Sequence, residues 1–243
     1  MTAAPLPRRL LAEFLGSAFL TAAVIGSGIA ASMLSPGDTG LQLLENAAAT
    51  ATGLFTFILM FGPISGGHFN PAVSLVDAAF GGLRWRQLAA YVPAQVGGCL
   101  TGAVLANAMF GLGAISISSH HRASPAHLLA EAVATAGLLL VIFSLARTGR
   151  GELAPAAVGA YIGAAYFFTS STSFANPAID LGRMLSDTFS GIAPASVPAF
   201  IAAQLVGAAF AVGLIRALYP DLTPGEAEDA VLPRTETRAA ATS

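Results

Sequence analysis

Ser65-Gly66-Gly67-His68-Phe69-Asn70-Pro71-Ala72-Val73 is echoed later in the chain by Ser173-Phe174-Ala175-Asn176-Pro177-Ala178-Ile179. Asn is a preferred helix N-cap, because its side-chain oxygen accepts from an orphan N–H of the first turn. Pro suits the first helical position, where a missing N–H costs nothing. Each Asn-Pro-Ala therefore reads as a helix start. The apolar stretch after each supports about 11–14 helical residues, roughly 16–20 Å, about half the hydrocarbon thickness of a bilayer. The loops ahead of them, 62–69 and 169–175, are rich in small residues. Non-helical backbone at membrane depth is tolerated only inside protein or along a wet cavity, so these loops are expected to line a pore or binding site. Asn-Pro alone is a common turn signal. Here two of the four asparagines carry the same tripeptide.

The surroundings are those of a membrane protein. The chain has 243 residues, 55% apolar and 10% charged, with a mean hydropathy of +0.71; a soluble domain carries about 25% charged residues. Apolar runs give six candidate spans, 10–34, 41–61, 87–112, 125–145, 153–168 and 194–218. The first is too long for a signal-peptide core and reads as a retained span. With the N-terminus in the cytoplasm, Arg8, Arg9, Arg84, Arg86, Arg147, Arg150, Arg216, Arg234 and Arg238 fall inside, and Arg122 and Arg183 outside. That bias supports both termini on the cytoplasmic side of a cell membrane. A cytoplasmic N-terminus (1–9), a channel domain (10–218) and a disordered cytoplasmic tail (219–243) are expected. One cysteine, Cys99, and a net charge of −2 give no reason to expect a disulfide framework, a cysteine-rich metal site or nucleic acid. No cofactor is expected.

The halves repeat. Glu13 and Glu131 lie 118 residues apart, Asn70 and Asn176 106 apart, and Gln95 and Gln204 109 apart. Similar offsets imply one unit used twice, about 10–112 and about 125–218. Three spans per unit invert the second copy relative to the first. A carboxylate inside a span reads either as a relay for protons or ions or as an acceptor for loop N–H groups. The second reading is preferred, since each lies near a span's end without a basic partner in its own span. If both half-helices begin at mid-membrane, two Asn NH₂ groups and two positive helix ends meet there. Such a site donates to a passing oxygen and repels cations.

These motifs closely resemble those of the aquaporin and glycerol-channel family, the major intrinsic proteins, over roughly residues 8–218. The resemblance implies an all-α membrane fold: six transmembrane helices plus two half-helices, an inverted repeat, one pore per subunit and a homotetramer in the lipid bilayer. It also implies pore-lining carbonyls at Gly66, Gly67 and His68 and, on the outer half, at Thr172, Ser173 and Phe174. Glu13 and Glu131 match the family's buried loop-holding acids. Most members continue the second motif with Arg; here Ile179 stands there, followed by the Asp180 typical of glycerol-conducting members. Counting back by the family's spacing puts the other constriction positions at Thr50, Ala164 and Ser173. The implied filter, Thr50, Ala164, Ser173 and Ile179, is wide, weakly polar and uncharged.

The segment 173–192 also resembles a bacterial branch without the filter arginine, associated with arsenic resistance and with passage of arsenous acid or methylated arsenicals. The expected function is a passive channel for small neutral solutes: glycerol-like polyols, metalloid acids and water. A water-selective channel is the alternative. An ion-coupled transporter is less favoured, because only Glu13 and Glu131 are titratable within spans. No nucleophile–base–acid set supports an enzyme. Arg183, one turn beyond Ile179, reads either as restoring positive charge at the outer vestibule or, preferred, as a partner of Asp180 or Asp187 or a solvent-facing residue. His120, His121 and His127 sit near an external loop, where a metal- or pH-sensing role is weighed against a plain solvated loop, the preferred reading.

Overall fold

The computed structural model describes residues 4–220. Eight α-helices follow in order among them: α1 (Leu6–Leu34), α2 (Thr39–Ser65), α3 (Pro71–Phe80), α4 (Trp85–Met109), α5 (Pro125–Arg147), α6 (Ala154–Phe168), α7 (Pro177–Arg183) and α8 (Val197–Leu218). Short 3₁₀ turns, Gly151–Leu153 and Pro194–Ser196, lead into α6 and α8. Local sequence sets the boundaries. Asp38 caps α2 by accepting from Leu41 N at 2.9 Å. Gly66 ends α2 with a left-handed φ of 97°. Ser124 caps α5 through His127 N. α1 begins at Leu6, so helix already covers residues expected to precede the first span. The expected tail lies, from residue 221 onward, outside the described residues, as do Arg234 and Arg238.

Among the described residues, five helices are long and apolar enough to cross a bilayer. The sixth expected span, α6, has 15 residues, about 23 Å at 1.5 Å per residue. It stops because Thr169 turns extended (φ −111°, ψ 138°) where the chain dives into the second small-residue loop. The half-helices are also shorter than expected, 10 residues in α3 and 7 in α7. Gly81, at φ 89°, ends α3. After α7, the carbonyls of Met184 and Leu185 accept from Ser118 N and Ser116 N of the preceding long loop, at 2.9 and 3.0 Å.

The inverted repeat is visible in the packing. α1 packs mainly on α4 and α2, and α5 on α8 and α6; α2 against α6 joins the halves. At both equivalent crossings a glycine admits a neighbouring backbone: a Cβ on Gly98 would overlap Phe14 O, and one on Gly207 would overlap Ala132 O. Small residues bring helix backbones close where lipid gives no hydrophobic drive to association. Large apolar side chains such as Phe19, Leu59, Leu105, Val206 and Phe210 are exposed on the outside of the bundle. Such an apolar exterior suits lipid rather than water.

Candidate functional site

Two loops enter the bundle from opposite faces and meet where α3 and α7 begin. In the first loop, Gly66 and Gly67 take left-handed φ of 97° and 64°, and Phe69 takes 50°. Glu13, fully buried, holds the loop. It accepts from His68 N at 3.0 Å, Phe69 N at 2.7 Å, Ser65 Oγ at 2.6 Å and Gln95 Nε2 at 2.7 Å. In the second loop, Glu131 is equally buried. It accepts from Phe174 N at 2.9 Å, Ala175 N at 2.8 Å and Gln204 Nε2 at 2.7 Å. A carboxylate with that many donors compensates the cost of burying its charge. Its geometry is that of a loop-holding acceptor.

The asparagines sit at the junction, each 4% exposed. Asn70 Oδ1 accepts from Ala72 N at 2.9 Å; Asn176 Oδ1 accepts from Ala178 N at 3.0 Å and Ile179 N at 3.3 Å. Pro71 and Pro177 occupy the first helical positions. The NH₂ groups are not wholly free, as the motif alone suggests. Asn70 Nδ2 donates to Ala175 O at 2.7 Å and Asn176 Nδ2 to Phe69 O at 2.8 Å. Each amide has two N–H donors, so one ties the half-helix to the opposite loop and the other is left for the pore.

A single cavity runs past both asparagines. His68, Gly67 and Ile58 line it toward the face where α1 begins, and Thr50, Tyr166, Ser173, Phe174 and Arg183 toward the opposite face. Its middle is mostly apolar: Leu20, Leu54, Val73, Leu138, Ile162 and Ile179. The polar edge is sparse. Thr50 Oγ1 and Tyr166 OH are 3.0 Å apart, while Ser173 Oγ is buried and, among the described residues, has no hydrogen-bond partner. His68 also meets a polar cluster, its Nδ1 3.0 Å from Ser74 Oγ and its Nε2 3.6 Å from Asp77 Oδ2.

Of the residues singled out from sequence, Asn70, Asn176, Thr50, Ser173, Ile179, Gly67, His68 and Phe174 share this lining. Gly66 and Thr172 lie outside it. Ala164 is a correction. It is exposed on the outside of α6, while Ile162 and Tyr166 of the same helix face the cavity. Ungapped counting missed the register, and on a helix a shift of two residues turns a side chain to the far side. The preferred reading of Arg183 is a second correction. It is 3% exposed and lines the cavity. Among the described residues no carboxylate lies within ion-pair reach of it, and it is not solvent-facing. Asp180 instead accepts from Gln204 Nε2 at 3.3 Å.

Asp187 sits instead in the loop after α7, where Ser119 N and Oγ donate to it at 2.8 and 3.0 Å. Those two bonds hold its carboxyl below the usual carboxylate range. His120 Nε2 lies 3.7 Å from it, and His127 Nδ1 2.7 Å from Arg122 O. Among the described residues no group of three His, Cys, Asp or Glu side chains is placed to hold a metal.

Two half-helices joined at paired asparagines inside a bundle of spanning helices, with a continuous cavity beside them, define a multi-pass membrane channel rather than an enzyme. The family model for the major intrinsic proteins matches residues 1–185, and the chain belongs to that family. It is 48% identical over 219 residues to aquaglyceroporin AqpS of Rhizobium meliloti (strain 1021), covering 90% of this chain and 93% of that one. It is 32% identical over 272 residues to the glycerol uptake facilitator protein of Pseudomonas aeruginosa, covering 94% and 96%. The X-ray structure of the aquaglyceroporin from Plasmodium falciparum has the same fold at 20% identity, with a TM-score of 0.69, covering 89% of this chain and 98% of that one.

Proposed function

We propose that the protein is a passive pore for small neutral hydroxyl-bearing solutes. These include glycerol-like polyols, metalloid acids such as arsenous acid, and water. The observation that carries this is the two-sided cavity. One edge offers the spare N–H donors of Asn70 and Asn176, and the rest is an apolar wall built from Leu20, Leu54, Leu138, Ile162 and Ile179. A polyol has the matching character, with hydroxyls along one side and carbon along the other. The 48% identity to an aquaglyceroporin supports the same reading. The proposed constriction comprises Thr50, Tyr166, Ser173 and Ile179, with Tyr166 in the place first assigned to Ala164. Glu13 and Glu131 serve as scaffolding: their oxygens are engaged by loop N–H groups and glutamines, which argues against an ion-coupled cycle.

The proposed setting is a cell membrane with both termini cytoplasmic. Arg8, Arg9, Arg84, Arg86, Arg147, Arg150 and Arg216 belong to the face where α1 begins, and the bias of basic residues supports that side as cytoplasmic. Four copies, each with its own pore, form the proposed assembly. Stopped-flow proteoliposome measurements of water, glycerol and As(OH)₃ permeability test the function. All three are expected to exceed protein-free vesicles; rapid water flow without uptake of glycerol or As(OH)₃ would mean a water-selective pore.

A further inference from the structure

Ile179 leaves the second motif without a cation, yet a guanidinium reaches the same cavity from the next turn of α7. Arg183 Nε donates to Ser190 O. Its Cζ lies 3.4 Å from the centroid of the Phe174 ring, a cation–π contact. Among the described residues no protein acceptor takes its two terminal nitrogens. Arg122 lies beside the same ring, its Cζ 5.4 Å from the centroid, but it is committed to the loop. Its Nε donates to Gly191 O at 2.7 Å and its Nη2 to Phe189 O at 3.0 Å. One of the two cations thus fastens the mouth, and the other faces open space. Ser173 also lines that space, its Oγ buried and, among the described residues, without a hydrogen-bond partner.

We propose that Arg183 is the specificity-determining cation of this pore. Its guanidinium binds the oxygens of an entering polyol, and it turns cations back before they reach the asparagine pair. The inference rests on the channel reading above. A guanidinium presents its donors in a planar fork that suits two adjacent oxygens. In a confined space its charge is screened far less than in water. Four residues along a helix amount to about 6 Å. The Arg183 backbone stands that far outside Ile179, while its guanidinium reaches back over the Phe174 ring beside the cavity: solute oxygens are gripped there, and the carbon side lies against the apolar wall. Phe174 and Ser190 are positioning residues. Ser190 in turn donates from Oγ to Val24 O at 2.9 Å. It fits there because position 28 is glycine: a Cβ on Gly28 would overlap Ser190 Oγ.

The test compares wild type, R183Q, R183K and R86Q, the last removing an exposed arginine from the opposite face. Proteoliposomes are assayed for glycerol and water flux and for K⁺ and H⁺ leak. R183Q is expected to raise cation leak by about tenfold or more and to lower the glycerol-to-water ratio several-fold. R183K is expected to keep cations out while losing that ratio, since an ammonium neither stacks nor donates as a fork. R86Q is expected to match wild type. If R183Q does not yield folded protein, R183K decides, and an unchanged ratio in it overturns the proposal. Folded R183Q with wild-type leak and ratio overturns it too. Wild-type vesicles without neutral-solute flux would defeat the channel reading and this inference with it. Normal wild-type flux alongside an unaffected R183Q would defeat this inference alone.

Discussion

The two loop-and-half-helix units occupy equivalent places yet solve the same backbone problem with different residues. Each has three left-handed positions: the first puts glycine at two of them, Gly66 and Gly67, and Phe69 (φ 50°) at the third; the second puts Thr172 (φ 64°), Ser173 (φ 52°) and Ala175 (φ 47°) there. Glycine takes such a conformation freely, whereas an L-residue gives up about 1–2 kcal/mol. The second loop accepts that cost at two further positions, one of which, Ser173, lies in the cavity lining. The seventh residue beyond each asparagine differs as well: Asp77 in α3, with its carboxylate near His68, and Arg183 in α7, in the cavity. Both units line the cavity, and the second carries more of the backbone strain, with three non-glycine residues at positive φ against one in the first.

Removing the acids should disturb the comparison most. E13A strips the acceptor from two backbone N–H groups, a serine and a glutamine; E131A strips it from two backbone N–H groups and a glutamine. At about 1–3 kcal/mol per orphaned buried donor, both variants should lose most of their stability, E13A more than E131A. Thermal unfolding of the purified proteins in detergent would show this, and a smaller loss in E13A would contradict the assignment of donors.

A loop exchange sharpens the contrast at lower cost. G67A places a Cβ at φ 64° and 3.2 Å from Gly62 Cα, and should destabilise by about 1–2 kcal/mol. T172G should be neutral or slightly stabilising, as relief of strain offsets the added freedom of the unfolded chain. Equal losses in both would show that the second loop is not strained.

The smallest effect should appear at Asp187. Its folded-state pKa is depressed by the two Ser119 hydrogen bonds. Its stabilising contribution is therefore present above the unfolded value, about 3.9, and is lost as pH falls through the lower folded value. D187N should lie slightly below wild type in thermal midpoint at neutral pH, and the gap should close under acid. A gap that persists or widens there would remove the Ser119 bonds as its cause.

Much of this was legible in the sequence. Asn-Pro states a helix start by capping chemistry, the apolar runs state spans, and the spacing of Glu13, Asn70 and Gln95 against Glu131, Asn176 and Gln204 states a repeat. Register on α6 was not. Its positions 162, 164 and 166 are all apolar or aromatic, so no polar stripe marks which side meets the pore, and Tyr166 went unnoticed. Its hydroxyl is a signal shared with Tyr161 of the same helix, since a buried phenol needs a partner: Tyr166 meets Thr50, and Tyr161 donates to Ala134 O. Nor could spacing say that Arg183 points inward. What turns it is the Phe174 ring and the carbonyl of Ser190, brought together by a loop whose path depends on the whole bundle.

The reciprocal bonds from Asn70 to Ala175 O and from Asn176 to Phe69 O also bear on how the chain is made. A ribosome delivers the first repeat to the membrane before the second exists. Until then Asn70 lacks its distant acceptor, and the Phe69 carbonyl lacks its donor. Unsatisfied polar groups in lipid cost several kcal/mol each. The first half must therefore wait wet or unsettled, and its pore-forming loop takes final shape only on the arrival of the second. Neither repeat is a complete folding unit, and duplication in this chain has produced two halves that finish one another.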